Sequence, residues 1–114
     1  MVKLIAFLKR KQGMSLAEFR DYWVNEHTKI SARLPGLKGY YINIATERQP
    51  DGEDAYFDGT AELWWDSIDE MEAAFASDIG IAAGVDAEHF ASFRVHLYTD
   101  EHTIVPGPHN RDGD

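Results

Sequence analysis

The first apolar run constrains this chain more than anything after it. Residues 2–9 set Leu4, Ala6 and Leu8 on one side of an extended segment and Ile5 and Phe7 on the other, because successive strand side chains point to opposite faces. A strand that is apolar on both sides needs cover on both sides. A chain of 114 residues has room for one hydrophobic core. Helices of that domain can cover one face of the sheet. A second copy, packed sheet to sheet about a two-fold axis, is the simplest cover for the other.

The same run invites comparison with the apolar core of a secretion signal. It is too short for that, and Lys9-Arg10-Lys11 stands where a small-residue cleavage site belongs. No apolar run approaches the roughly 20 residues that span a bilayer, so the expected location is the cytoplasm. Cysteine is absent, which excludes a disulfide framework, thiol catalysis and a cysteine-based zinc site. The net charge of -9 repels phosphate backbones and anionic lipid, so neither nucleic acid nor membrane is an expected partner.

Gly13 breaks the first strand. Ser15-Leu16-Ala17-Glu18 then has the form of a capping box, with Ser15 as N-cap and Glu18 at the third helical position. Leu16, Phe19, Trp23, His27, Ile30 and Leu34 recur at steps of three and four, one face of a helix that Pro35-Gly36 ends. Residues 37–46 read as a second strand and 56–65 as a third. Between them the polar stretch Glu47–Asp54, with Pro50 and Gly52, is a candidate lid. Ser67 and Glu70 open a second helix as another capping box. Residues 78–91 look helical in part, weakened by Gly80 and Gly84. Residues 93–99 alternate as a fourth strand. The order is βαββαβ, an α+β ferredoxin-like fold with one four-stranded antiparallel sheet. The domain is expected over residues 1–105. Residues 106–114, rich in Gly, Pro, Asn and Asp, are expected to form a disordered tail.

Within this frame the sequence resembles the EthD family. The resemblance is carried by Lys3–Arg10, by Glu18-Phe19-Arg20-Asp21-Tyr22-Trp23 with His27, and by Leu34–Tyr40. Asp58–Trp65, Asp86–Phe90 and Glu101–Ile104 complete it. It covers about residues 2–105 and implies a dimeric α/β barrel. Relatives of that family include cofactor-free lactone isomerases, polyketide cyclases, and decarboxylase- or dehydratase-like proteins acting on aromatic polyketides. The implied site is a pocket between the first helix and the sheet, where His and Tyr side chains move protons. His27 matches the helix-one histidine of the motif.

The residues give each of these positions two readings. An imidazole with an ordinary pKa of about 6.5 suits acid or base work near neutrality, yet His27 could equally be a hydrogen-bonded core residue. Tyr40 and Tyr41 are adjacent, so one phenol faces the helices and one the other side; the first could orient or protonate a substrate oxygen, or simply pack. Trp64 and Trp65 split in the same way between a pocket floor and core or interface. Asp58 or Asp86 could partner His27, or end an element in solvent. The sites expected from this reading are His27 and Tyr40 for catalysis, with Trp23, Tyr41, Trp64 and Trp65 for substrate binding.

No cofactor or metal is expected. His27, His89, His96, His102 and His109 show no i,i+4 pair and no HExxH. There is no glycine-rich phosphate loop and no G-x-S-x-G. His96 could be put forward as a haem ligand, but nothing around it in sequence supports that. The expected partner is a small hydrophobic or aromatic molecule. The function favoured is a cofactor-independent isomerase, cyclase, dehydratase or decarboxylase acting on a small aromatic, lactone or polyketide-like compound. The alternatives are a non-catalytic binding protein of a catabolic pathway and a cofactor-free quinol-type monooxygenase.

Overall fold

The computed structural model describes residues 1–108; the expected tail lies, from residue 109 on, outside the described residues. Strands β1 (Val2–Arg10), β2 (Gly39–Ile44), β3 (Gly59–Trp65) and β4 (Ala91–Thr99) form one sheet in the order β2-β3-β1-β4. Every neighbouring pair is antiparallel. This is the ferredoxin-like α+β fold. Helix α1 is a continuous run of three segments, Leu16–Asp21, a π-helical Tyr22–His27 and Thr28–Ser31. Helices α2 (Ile68–Ala76) and α3 (Asp78–Ala87) follow β3.

Local chemistry sets the helix starts. The Glu18 N–H donates to Ser15 Oγ at 3.0 Å and the Ser15 N–H to Glu18 Oε1 at 2.9 Å, a complete capping box. Ser67 Oγ accepts from the Glu70 N–H at 3.1 Å and opens α2. Ser77 then caps α3 by accepting from the Gly80 N–H. Gly80 is not a weak point in the helix. A β-carbon there would collide with the Ala74 and Phe75 carbonyl oxygens, so glycine is what lets α3 start so close against the end of α2.

Helix α1 ends at Ser31, earlier than Pro35-Gly36, and a turn carries the chain to β2. The π-helical stretch explains which residues face the sheet. In an α-helix a row of i,i+4 positions drifts by about 40° per step, since 3.6 residues make a turn. A π turn is wider and counters that drift. Phe19, Trp23, His27 and Ser31 are therefore all buried in one row, while Ile30 is only half-buried.

The register sorts the strand faces. Leu4 pairs with Leu63 and Ala6 with Ala61, on the side covered by the helices. Tyr40 pairs with Leu63 and joins that side, as do Arg94 opposite Leu8 and His96 opposite Ala6. Ile5, Phe7, Val95 and Leu97 share the other face, where none of the described helices packs; Leu97 is 51% exposed there and Val95 40%.

Candidate functional site

Between α1, α3 and the sheet lies a cavity of about 110 Å³. Its walls are mostly aliphatic and aromatic: Leu4, Ala6, Leu63, Trp23, Phe75 and Ala83. Five polar side chains reach it, His27 and Ser31 from α1, Tyr40 from β2, and Arg94 and His96 from β4. A cavity of this size is on the order of the ~150 Å³ that holds one benzene ring, so it suits a single small ring.

His27 is buried, at 7% exposure, and its ring packs 5.0 Å from that of Phe90. Its Nδ1 lies 2.9 Å from Asp86 Oδ2, and the Tyr22 hydroxyl donates to Asp86 Oδ1 at 2.8 Å. An ionised carboxylate can only accept, so Nδ1 carries the proton and Nε2 keeps its lone pair. Asp86 does not line the cavity and His27 does. The imidazole is oriented by a carboxylate that is itself held by a phenol, an arrangement with the form a general base requires.

The charge states follow from the surroundings. Burial lowers the His27 pKa below its usual 6.5; Asp86 opposes this and the Arg94 charge adds to it. His27 is therefore neutral at pH 7 and able to accept a proton. Burial works to raise the Asp86 carboxyl, but the hydrogen bonds from His27 and Tyr22 outweigh it and hold the group below its ordinary value. The linkage has a definite sign. The unfolded chain takes up a proton at His27 near pH 6.5 and the folded chain does so only lower, so stability falls as pH drops below 6.5. Thermal melts from pH 7.5 to 5 are expected to show this decline; His27→Gln should reduce it, leaving the part of the same sign that the lowered His96 contributes. An equal decline in the variant would sink the assignment.

Tyr40 meets the same cavity. Its hydroxyl oxygen is 2.8 Å from Ser31 Oγ and accepts from the Trp23 indole N–H. Burial raises its pKa, so the phenol stays protonated. Whichever of Tyr40 and Ser31 donates to the other, one hydroxyl proton of the pair is left for a ligand.

The structure thus brings Trp23, His27 and Tyr40 together. It does not bring Tyr41, Trp64 and Trp65 to them. Trp65 is fully buried in the core, its indole N–H donating to the Pro35 carbonyl at 2.8 Å. Tyr41 and Trp64 stand edge to face on the other side of the sheet, centroids 5.4 Å apart. There they line a larger open groove of about 640 Å³ with Lys3 and Glu101. That groove is the weaker candidate despite its size. It is broadly open, and its Lys3 ammonium is already paired with Glu62 and Glu101. The 47–54 loop does not line the His27 cavity.

Of the two carboxylates, Asp58 is an element end: it accepts from the Arg10 N–H at 2.7 Å. Asp86 is the histidine's partner. Sequence reading assigned no site role to Tyr22, Ser31 or Arg94, and considered His96 only as a metal or haem ligand. The one signal for the β4 pair was its alternation with Val95 and Leu97. Among the described residues no group of three His, Cys, Asp or Glu side chains could hold a metal ion. No described helix is long and apolar enough to cross a membrane.

Comparison with known proteins agrees with this architecture. An uncharacterised 11.0 kDa protein of Rhodococcus erythropolis is 31% identical over 91 residues, 79% of this chain and 86% of that protein. The 4-carboxymethyl-4-methylbutenolide mutase of Pseudomonas reinekei is 26% identical over 106 residues, 89% of this chain and 98% of the mutase. The crystal structure of an ethyl tert-butyl ether D (EthD) family protein from Bacillus halodurans superposes with a TM-score of 0.76 at 27% identity, covering 90% of this chain and 99% of that one. A dimeric ferredoxin-like protein from Thermobifida fusca shares the fold at 16% identity and TM-score 0.68, over 86% and 88% of the two chains. The EthD domain family matches residues 11–94, most of the chain. The chain belongs to the EthD domain family.

Proposed function

We propose that this protein is a cofactor-independent isomerase-type enzyme that moves a proton on a small ring compound such as a lactone. The observation that carries the reading is the Asp86–His27 pair with its lone-pair Nε2 beside an apolar cavity. In this reading His27 Nε2 removes a proton from a carbon next to the ring carbonyl. The electron pair moves onto the carbonyl oxygen, where the free proton of the Tyr40–Ser31 pair donates a hydrogen bond. The imidazolium, stabilised by Asp86, then returns the proton at a second carbon. Nothing is oxidised, and the base ends as it began. The similarity to a butenolide mutase supports this class of substrate.

The test is solvent exchange. Incubated with butenolides in D2O, the wild-type protein is expected to exchange the acidic ring protons, followed by NMR, well above the buffer rate. Binding without exchange would leave the cavity as a carrier site rather than an active one.

A second copy of the chain on the outer sheet face belongs to the same reading. Ile5, Phe7, Val95 and Leu97 make an apolar patch there, of the kind that marks an interface. Light scattering is expected to give twice the 12.9 kDa chain mass, and a combined Ile5→Lys, Leu97→Lys variant a single chain mass. A monomeric wild type would end this proposal.

A further inference from the structure

On the β4 wall of the cavity, Arg94 and His96 sit two residues apart on the same sheet face, opposite Leu8 and Ala6. We propose that this pair is an anion subsite, so that the ligand of the cavity is a small ring compound bearing a carboxylate. The inference deepens the proton-transfer reading above and rests on it for the use made of the bound ligand.

Three observations support the subsite. First, Arg94 is a cation without a counter-ion. Among the described residues no carboxylate lies within salt-bridge distance of it. Its one hydrogen bond is donated by Nη1 to the Gly84 carbonyl at 3.2 Å. Asp86, the carboxylate behind His27, is already engaged by His27 and Tyr22. Arg94 is exposed; a guanidinium has five N–H donors in a planar fork that matches a carboxylate, and the Gly84 bond holds that fork at the cavity mouth, where a ligand can exchange with solvent for the other donors.

Second, the neighbouring groups on that wall do not supply negative charge. His96 stands at the cavity mouth, exposed on one side and packed on the other against Phe75, ring centroids 5.5 Å apart. Partial burial and the Arg94 charge both work against its protonation. The same charge disfavours a protonated His27. A bound carboxylate would offset the Arg94 field at both rings.

Third, the remainder of the cavity is apolar apart from the Tyr40–Ser31 hydroxyls and His27. A ligand with an apolar ring and one anionic arm would set its charge on β4 and its ring carbons against α1. The arm would then fix which ring carbon meets His27 Nε2, the positioning that proton transfer requires.

The experiment is titration calorimetry with benzoate, 2-furoate and 4-carboxymethylbutenolide, each beside its methyl ester. Wild type is expected to bind at least one acid about tenfold or more tightly than its ester, the scale of a charge-assisted hydrogen bond. Arg94→Gln should abolish that preference. Arg94→Lys, which keeps the charge, should retain part of it, and Arg33→Gln, an exposed cation away from the cavity, should keep it whole. No binding of any acid, equal binding of acid and ester, or a preference that survives in Arg94→Gln overturns the subsite. The two proposals fail separately. An Arg94-dependent preference without proton exchange leaves the subsite standing and removes the enzyme; exchange on neutral lactones with no acid preference does the reverse.

Discussion

Replacing His27 with glutamine is expected to lower the proton-exchange rate by about 10²–10⁴-fold, the usual contribution of a positioned acid or base, while the protein stays folded. Glutamine can still hydrogen-bond Asp86 but cannot take a proton at neutral pH. Asp86→Asn probes the same bond from the other side. An amide N–H₂ would donate to Nδ1, drive the imidazole proton to Nε2, and turn the base's lone pair away from the cavity. A loss on the order of 10²-fold is expected. The acid limb of the pH–rate profile should also move to lower pH, because Asp86 is the group that raises the His27 pKa against burial. A structural role for His27 predicts a different pattern, with lower melting temperature, unchanged exchange per folded molecule and no shift of the acid limb.

Phe90→Ala is expected to be the most damaging single change to stability. Phe90 is fully buried. Its ring centroid lies 5.0 Å from His27, 5.5 Å from Tyr22, 5.7 Å from Phe19 and 5.8 Å from Trp23. It is where the row of α1 side chains meets the turn between α3 and β4. Truncating a buried Phe costs about 3–5 kcal/mol, a large part of the roughly 5–15 kcal/mol of a typical domain. The melting temperature should fall by about 10 °C or more. Because Phe90 also fixes the His27 ring, exchange should fall in the variant even well below its melting point. Phe90→Leu should restore most of the stability. A Phe90→Ala protein within about 1 kcal/mol of wild type in a denaturant melt would show that the cluster around Phe90 closes without it.

Both predictions rest on contacts that sequence spacing could not display. Tyr40 and Tyr41 were sure to point apart, since strand side chains alternate. Which of them met His27 depended on the register of β2 with β3, which sets Tyr40 opposite Leu63. Trp64 and Trp65 were divided by the pairing of β1 with β3, which sends Trp65 into the core and Trp64 to the outer face. Ser31 was hidden for another reason. The π-helical turn at Tyr22–His27 changes the helical period, so an α-helical pattern favours Ile30 where the fold buries Ser31.

By itself the sequence determined what short-range chemistry can dictate. The Ser15–Glu18 box spans three residues, the alternation of β1 spans adjacent ones, and the apolar face of α1 follows from helical geometry. From these came the βαββαβ order, the single sheet, the need for cover on both of its faces, and the placing of His27 toward the sheet. The tertiary structure alone decided the chemistry of the site. His27 and Asp86 are separated by 59 positions, and Tyr22 and Asp86 by 64. Arg94 reaches the cavity only because β4 pairs beside β1 in the register that sets it opposite Leu8. Such contacts depend on how whole elements pack, and a pattern confined to a few neighbouring residues carries no record of them.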